Sequence, residues 1–271
     1  IHIDIDPSSI NKNIVVDLGI VGDVAHVLED LMLAWKSSNA KIDTKSLECW
    51  WEQIDLWREK DSLKYVQTGQ VIKPQHALNC LQKMTDKLDQ DVYITTEVGQ
   101  HQMWSAQYLN FEQPNRWLTS GGLGTMGYGL PAAMGVQVAH PKAMVVGVSG
   151  EGSFMMNMQE MATIVQYRLP VKILILNNFS LGMVRQWQEL MHGSRYSESY
   201  MESLPDFVKM AEAFGMKGLR ATKLSELDMM LEELLSHDGP VLADLHVDPK
   251  ENVFPMIPAG AAHNEMILGP D

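Results

Sequence analysis

The chain has almost no cysteine. Cys49 and Cys80 are the only two in 271 residues. Neither sits in a spacing that builds a zinc site or a disulfide framework, so both read as inert thiols in a reducing compartment. Positive charge is also scarce: 21 Lys and Arg stand against 34 Asp and Glu, a net charge of −13. That balance argues against nucleic acid or an anionic membrane as a partner. An anionic ligand would have to be held locally, by a metal ion and helix N-termini. No apolar run approaches the roughly 18 residues of a membrane span. Repeats, low-complexity tracts and a targeting segment are missing too. Ile1 opens inside a predicted strand, so the chain reads as starting part-way through a domain, in the cytoplasm or, in a eukaryote, a plastid or mitochondrion.

What is present is regular alternation. From Val92 onward, strands are predicted at 92–96, 116–119, 143–148, 171–176, 217–221 and 241–247. Helices are predicted between them near 100–109, 125–138, 182–191, from Asp206 and at 224–236. This order implies an α/β fold, a doubly wound parallel sheet with helices on both faces. Upstream, I-H-I-D-I-D at 1–6 alternates as a strand, Val15 to Val21 form another, and Asp23 caps a helix over 24–36. Such a piece cannot stand alone, and residues 1–38 read as the end of a second α/β domain. Residues 39–73 read as a linker with a helix at 44–60, whose Trp50, Trp51 and Trp57 at helical spacing are expected to pack. Pro74 fits the first position of a helix with Ala77, Leu78, Leu81 and Met84 on one face. It opens the main domain, 74–250. The tail, 251–271, carries Pro255 and Pro258 three apart, which excludes a long helix. It would serve as a lid over a site or pack plainly on a neighbour. The 19 methionines are read mainly as core filler.

The densest constellation spans residues 149–183. Gly150, Glu151, Gly152 and Ser153 follow one predicted strand, Asn177 and Asn178 follow the next, and one amphipathic helix is predicted between. Loops after parallel strands share the sheet's carboxyl edge, where such sheets bind ligands. Glu151 and Asn178, 178 − 151 = 27 positions apart, are therefore expected to meet. Gly150 and Gly152 allow close approach of a bulky anion, and the N–H groups of Gly152 and Ser153 can donate to phosphate. The Glu151 carboxylate, the Asn178 amide oxygen and a main-chain carbonyl near Ser180 suit octahedral Mg²⁺ shared with phosphate. A glycine turn alone is usually structural; the paired amides one βαβ unit later point to a diphosphate pinned by a metal.

Other residues fall on the same edge. Gly99, Gln100 and His101 follow strand 92–96, and Gln100 and His101 can donate to a diphosphate. A lone His there is usually just hydrogen-bonded structure, but its neighbours favour a functional reading. Glu97 beside them reads as a supporting or structural carboxylate. Gly124, Thr125 and Met126 sit in a glycine-rich run where a strand hands over to a helix. Met183 and Trp187 share a helix face at i, i+4, with Gln186 beside them. Arg185 points elsewhere and reads as solvated.

The Gly-acid-Gly-Ser turn followed by Asn-Asn resembles the signature of thiamine-diphosphate enzymes. S-G-G-L-G-T-M-G-Y-G-L-P-A-A at 120–133 and V-G-Q-H-Q-M-W at 98–104 resemble the acetohydroxyacid synthase (acetolactate synthase) branch, along the whole chain. The resemblance implies a thiamine-diphosphate-binding fold with Mg²⁺ held by Glu151, Asn178 and the Ser180 carbonyl. It implies Gln100, His101, Gly152 and Ser153 at the diphosphate, and Gly124, Thr125 and Met126 under the aminopyrimidine, Met126 bending the cofactor. Met183 would face the cofactor and Trp187 would shape the pocket for the second keto acid. Asp4 with Ile5 and Asp23 with Val24 match positions lining FAD, most of whose site lies outside this chain; a solvated or turn-forming Asp is the plainer reading. Glu151 departs from the family's Asp, and its extra methylene moves the carboxylate outward by about a bond length.

The activity so implied is decarboxylation of pyruvate and condensation with pyruvate or 2-ketobutyrate, in branched-chain amino-acid (valine, leucine, isoleucine) biosynthesis. A homodimer or higher homo-oligomer and a regulatory small subunit are implied as partners. The glutamate that protonates the pyrimidine belongs to another domain across a subunit interface, so this chain alone is expected to be inactive. Two rival readings are another carboligase, decarboxylase or pyruvate oxidase using the same cofactor, and a non-catalytic interaction module that keeps the fold.

Overall fold

The run V-K-I-L-I-L leaves no polar face except one lysine, the pattern of a strand covered on both sides. In the computed structural model, which describes residues 1–269, this run forms the middle of a six-stranded parallel sheet. The chain divides into two units, residues 1–61 and 62–271.

In the first unit, β1 (His2–Asp4) and β2 (Gly19–Val21) pair in parallel, so Asp4 and Val21 are register partners. Asp23 accepts from Ala25 N at 2.8 Å and caps α1 (Val24–Ser37). Then α2 (Thr44–Arg58) begins on an Asp43 cap. The expectation that its tryptophans pack away from water is corrected: Trp50, Trp51 and Trp57 are 54%, 48% and 50% exposed. Trp50 and Trp57 meet edge to face, since one seam is all that a single amphipathic helix can bury by itself.

The second unit starts at Ser62, ahead of Pro74, and Ile72 is already fully buried. Pro74 opens α3 (Pro74–Thr85), followed by β3 (Val92–Thr96), α4 (Gln100–Tyr108), β4 (Trp117–Leu118), α5 (Gly129–Ala139) and β5 (Met144–Ser149). Next come α6 (Glu151–Phe154), α7 (Glu160–Gln166), β6 (Lys172–Asn177), α8 (Gly182–Met191), α9 (Phe207–Phe214), β7 (Lys217–Ala221), α10 (Leu224–Ser236) and β8 (Val241–His246). The strands lie in the order β4-β3-β5-β6-β8-β7. Alternate side chains serve opposite faces. Ile94, Val146, Leu174 and Ala243 pack with α3, α4 and α10, whereas Tyr93, Val145, Ile173 and Leu242 pack with α5, α7 and α9. Burial on both faces is why these strands read as unbroken apolar runs.

Two expected elements change. The helix expected over 125–138 starts only at Gly129, because Gly124 and Gly127 adopt φ of +75° and +87°, outside the helical region. The single helix expected after Gly150 is two short ones. Asn157 breaks it, its Nδ2 donating to Gly127 O at 2.6 Å rather than staying on a helix surface. Of the methionines, Met144, Met161, Met216 and Met230 are core, while Met156 and Met229 are 56% and 69% exposed.

Leu174 sits at the centre of the sheet with no exposed surface. Leu174→Ala should destabilise the protein by about 3 kcal/mol, through lost transfer energy and a residual cavity. Urea unfolding monitored by circular dichroism measures this; a loss under 1 kcal/mol would show that the site is not close-packed.

Candidate functional site

Parallel pairing of β3, β5 and β6 places the loops that follow them side by side at one sheet edge. There a cavity is lined by Gln100, His101, Met126, Glu151, Asn178 and Met183, together with glycines 99, 150, 152 and 182. Glu151, at the start of α6, is 1% exposed and accepts from Ser180 N at 2.7 Å. The two loops thus meet through a direct bond. Asn178 Oδ1 accepts from Ser180 N and Ser180 Oγ at 3.2 and 3.1 Å.

Backbone geometry explains this convergence. Asn177 Oδ1 accepts from Phe179 N at 3.1 Å, a local turn that Asn favours. Phe179 takes φ +60°, a left-handed conformation that bulky residues rarely adopt. The chain therefore doubles back after β6. Residues on either side of Ser180 are bonded to the 199–201 segment, Leu181 N to Ser199 O and Met201 N to Phe179 O. Ser180 is left facing Glu151 and Asn178.

Space at the site is set by missing side chains. A Cβ on Gly150 would lie 2.6 Å from His101 Nδ1. One on Gly182 would lie 2.0 Å from Gln100 Oε1 and 2.6 Å from Asn178 Nδ2. His101 Nε2 is buried without a partner, and burial lowers the imidazole pKa to about 3, so the ring is neutral. Glu97, fully buried, accepts from Gly127 N at 2.7 Å and Leu130 N at 3.0 Å. It pins the turn that carries Met126.

Not every expected residue lines this cavity. Gly124 and Thr125 are exposed, and Thr125 N donates to Ser120 Oγ at 2.9 Å. Trp187 is 39% exposed and outside the lining, one turn beyond Met183. Asp4, Ile5, Asp23 and Val24 belong to the first unit, with Ile5 71% and Val24 56% exposed. Asp4 Oδ1 accepts from Asp6 N at 2.8 Å, so both aspartates make local turn and cap bonds. Arg185 is a correction. Read as solvated, it is 1% exposed, pairs with Glu189, and donates at 2.8 Å to Glu251 O and to Asn252 Oδ1. The tail carbonyl and amide replace water around the guanidinium. Sequence reading also missed Gly182, whose only signal was that it is a glycine four residues after Asn178.

The family described as "Thiamine pyrophosphate enzyme, C-terminal TPP binding domain" matches residues 97–245, more than half the chain. The chain belongs to the thiamine pyrophosphate enzyme family. It is 46% identical over 269 residues to the acetolactate synthase large subunit of Haemophilus influenzae, covering 99% of this chain and 46% of that protein. It is 46% identical over 271 residues to the acetolactate synthase isozyme 3 large subunit of Escherichia coli K12, covering 47% of it. With the Porphyra purpurea acetolactate synthase large subunit the identity is 47% over 268 residues. The chain spans about half the length of the curated relatives it matches. Glu97, Gln100, His101, Met126, Glu151, Asn178, Ser180 and Met183 all lie within the matched domain of this thiamine pyrophosphate enzyme.

Among the described residues no three His, Cys, Asp or Glu side chains cluster to hold a metal, and no helix is long and apolar enough to cross a membrane. The donors at the edge are instead one carboxylate, one amide oxygen and main-chain carbonyls. Such a set leaves positions for a ligand's own oxygens, and so fits a hard cation shared with a diphosphate.

Burial raises the Glu151 pKa to about 7 despite backbone donors that favour its anion. The folded chain therefore keeps a proton that the unfolded chain has lost above about pH 4.3. That contribution favours folding at low pH and is lost as pH rises through about 7. His101 acts oppositely, favouring the fold as pH rises towards its unfolded value of about 6.5. Comparison of Glu151→Gln with the parent cancels the His101 effect. In thermal melts of the cofactor-free protein, the variant's advantage in Tm should grow by on the order of 5 °C between pH 5 and pH 8. A pH-independent difference would contradict the buried-carboxylate assignment.

Proposed function

We propose that this chain is the cofactor-binding portion of an acetolactate synthase large subunit, acting on pyruvate with pyruvate or 2-ketobutyrate in branched-chain amino-acid biosynthesis. The observation that carries the reading is the Glu151–Ser180 bond between two loops, inside a glycine-lined cavity, in a chain that aligns over 99% of its own length with about half the length of such subunits. Mg²⁺ would be held by Glu151, Asn178 and the Ser180 carbonyl, which takes no part in the pairing with residues 199–201. Gln100, His101, Gly152 and Ser153 would hold the diphosphate, and Gly124, Thr125 and Met126 the aminopyrimidine.

When bound, thiamine diphosphate supplies the electron sink for decarboxylating a 2-keto acid. The residues of this chain orient it and exclude water. His101, kept neutral by burial, brings its ring to the cavity without adding charge there. Glu151 must be ionised to hold the cation, so loading displaces its proton below about pH 7. Met126 projects into the cavity from a turn fixed by Glu97 and Asn157. Met183 lines the same cavity, and Trp187 beyond it, 39% exposed, is available to shape the acceptor pocket.

The proposal extends to the first unit. β1 and β2 are parallel, so Asp4 with Ile5 and Asp23 with Val24 emerge at one edge, suited to one side of an FAD site. We also assign residues 1–38 to the end of an FAD-associated domain, 39–73 to a linker and 74–250 to the cofactor domain. The first residues of the 251–271 tail pack rather than cover: Val253 is fully buried. A homodimer or higher homo-oligomer, a regulatory small subunit and a cytoplasmic or organellar setting complete the reading.

Calorimetric titration tests the cofactor assignment: thiamine diphosphate should bind only with Mg²⁺ present. Glu151→Asp, which restores the family's shorter carboxylate, should tighten Mg²⁺ binding by roughly tenfold, the scale on which ligand positioning acts. Equal affinities would remove the argument from side-chain length, and no Mg²⁺-dependent binding would refute the cofactor reading. In the assembled enzyme, Trp187→Leu should shift the acetohydroxybutyrate to acetolactate ratio from mixed pyruvate and 2-ketobutyrate. An unchanged ratio would remove Trp187 from the pocket.

A further inference from the structure

Three buried side-chain amides run in series from the tail to the metal loop. An amide can be turned either way in its pocket, and the partners decide which end is oxygen. Gln186, on α8 and 4% exposed, faces the main chain of Val253 with both ends. Val253 N donates to Gln186 Oε1 at 2.8 Å, and Gln186 Nε2 donates to Val253 O at 3.0 Å. A main-chain N–H can only donate and a carbonyl can only accept, so this pair admits one orientation.

The constraint passes on. Gln186 Oε1 also accepts from Gln100 Nε2 at 2.8 Å, and Gln100 Nε2 reaches Glu251 O at 3.2 Å. The oxygen of Gln100 must then point the other way, where it accepts from Asn178 Nδ2 at 3.0 Å. With its nitrogen committed, Asn178 turns Oδ1 towards Ser180, whose main-chain N–H and hydroxyl donate to it at 3.2 and 3.1 Å and hold the same orientation from the other side. Gly182 is what lets the Gln100 and Asn178 amides meet, since a side chain there would collide with both. At the far end, Arg185 holds the tail through Glu251 O and Asn252 Oδ1. Lys73 and Gln75 bind the Glu251 carboxylate, Gln75 Nε2 at 3.0 Å.

The geometry points to Gln186 as a positioning residue: through Gln100 it carries the polarity of the Val253 main chain to Asn178 and keeps the amide oxygen, not the nitrogen, on the cation side. This rests on the cofactor reading for the identity of the cation, but the orientation of the amides does not. Neighbours that orient a metal ligand typically affect affinity by about 10–100-fold.

The test has a readout without ligand and one with it. In the ¹⁵N-labelled cofactor-free protein, the Asn178 side-chain NH₂ should give one set of slowly exchanging signals. Gln186→Met, of similar volume but unable to accept or donate an N–H bond, should speed that exchange or split the signals. In calorimetry with thiamine diphosphate, Gln186→Met should weaken Mg²⁺ binding about tenfold. Gln186→Glu, protonated in this buried position, keeps both accepting contacts and can donate its O–H to Val253 O, so it should stay within about threefold of the parent; it serves also if the Met variant does not fold. In an Asn178→Asp background, where either oxygen can face the cation, Gln186→Met should cost nothing further. Equal losses in both backgrounds, or Gln186→Glu as impaired as Gln186→Met, would make Gln186 merely structural and overturn the proposal. Unchanged Asn178 signals in Gln186→Met would overturn it as well. A parent that binds no Mg²⁺ but shows the expected change in Asn178 signals would sink the cofactor reading and leave the relay standing.

Discussion

A buried carboxylate with no cation beside it is costly, and the second unit is built around tolerating one. Glu151 is buried at the edge where α6 begins, and its partners are main-chain N–H groups, that of Ser180 at 2.7 Å among them. Burial wins over those bonds, which is why the carboxyl pKa stands near 7 rather than in the usual carboxylate range. Near neutral pH the group is therefore about half-protonated. Other features of the edge follow from keeping it there, including the left-handed Phe179, the Asn177 turn and the pairing of residues 179–181 with 199–201.

The surroundings of this carboxylate are polar. Asn177 Nδ2 donates to Asp244 Oδ1 at 2.9 Å, and Asp244 also receives Arg220 Nε at 3.0 Å. On the other side, the three amides and the Arg185–Glu189 pair connect α8 to the tail. Half-satisfied networks of this kind would be a liability in a core, but here almost every member is bonded. The unpartnered His101 Nε2 stands out for facing the cavity. A buried ring nitrogen without a protein partner, in the lining of a glycine-rich cavity, is the kind of exception that calls for an explanation.

Much of the fold was legible because the chain alternates so regularly. Strands 92–96 and 217–221 and helices 182–191 and 224–236 fall where periodicity places them. Two-sided burial leaves apolar runs with little ambiguity. The meeting of Glu151 and Asn178 was also legible, from the rule that successive parallel strands end at one edge. Misreadings arose where a distant residue overrides local pattern. Arg185 looks solvated in sequence because its neighbours Glu251 and Asn252 lie more than sixty positions away. Asn157 looks helical until Gly127 draws its side chain out of the helix.

By itself, the order of residues determined a doubly wound sheet, which loops crown it, and the kinds of oxygen and nitrogen those loops bring. All three follow from local periodicity, chain direction and residue type, and none needs a long-range contact to be specified. Only the tertiary structure decided that Gln100, Gln186 and Val253 form one oriented series and that Glu97 holds the Met126 turn. Hydrogen-bond polarity across three-dimensional neighbours is not periodic in sequence, so no spacing rule carries it.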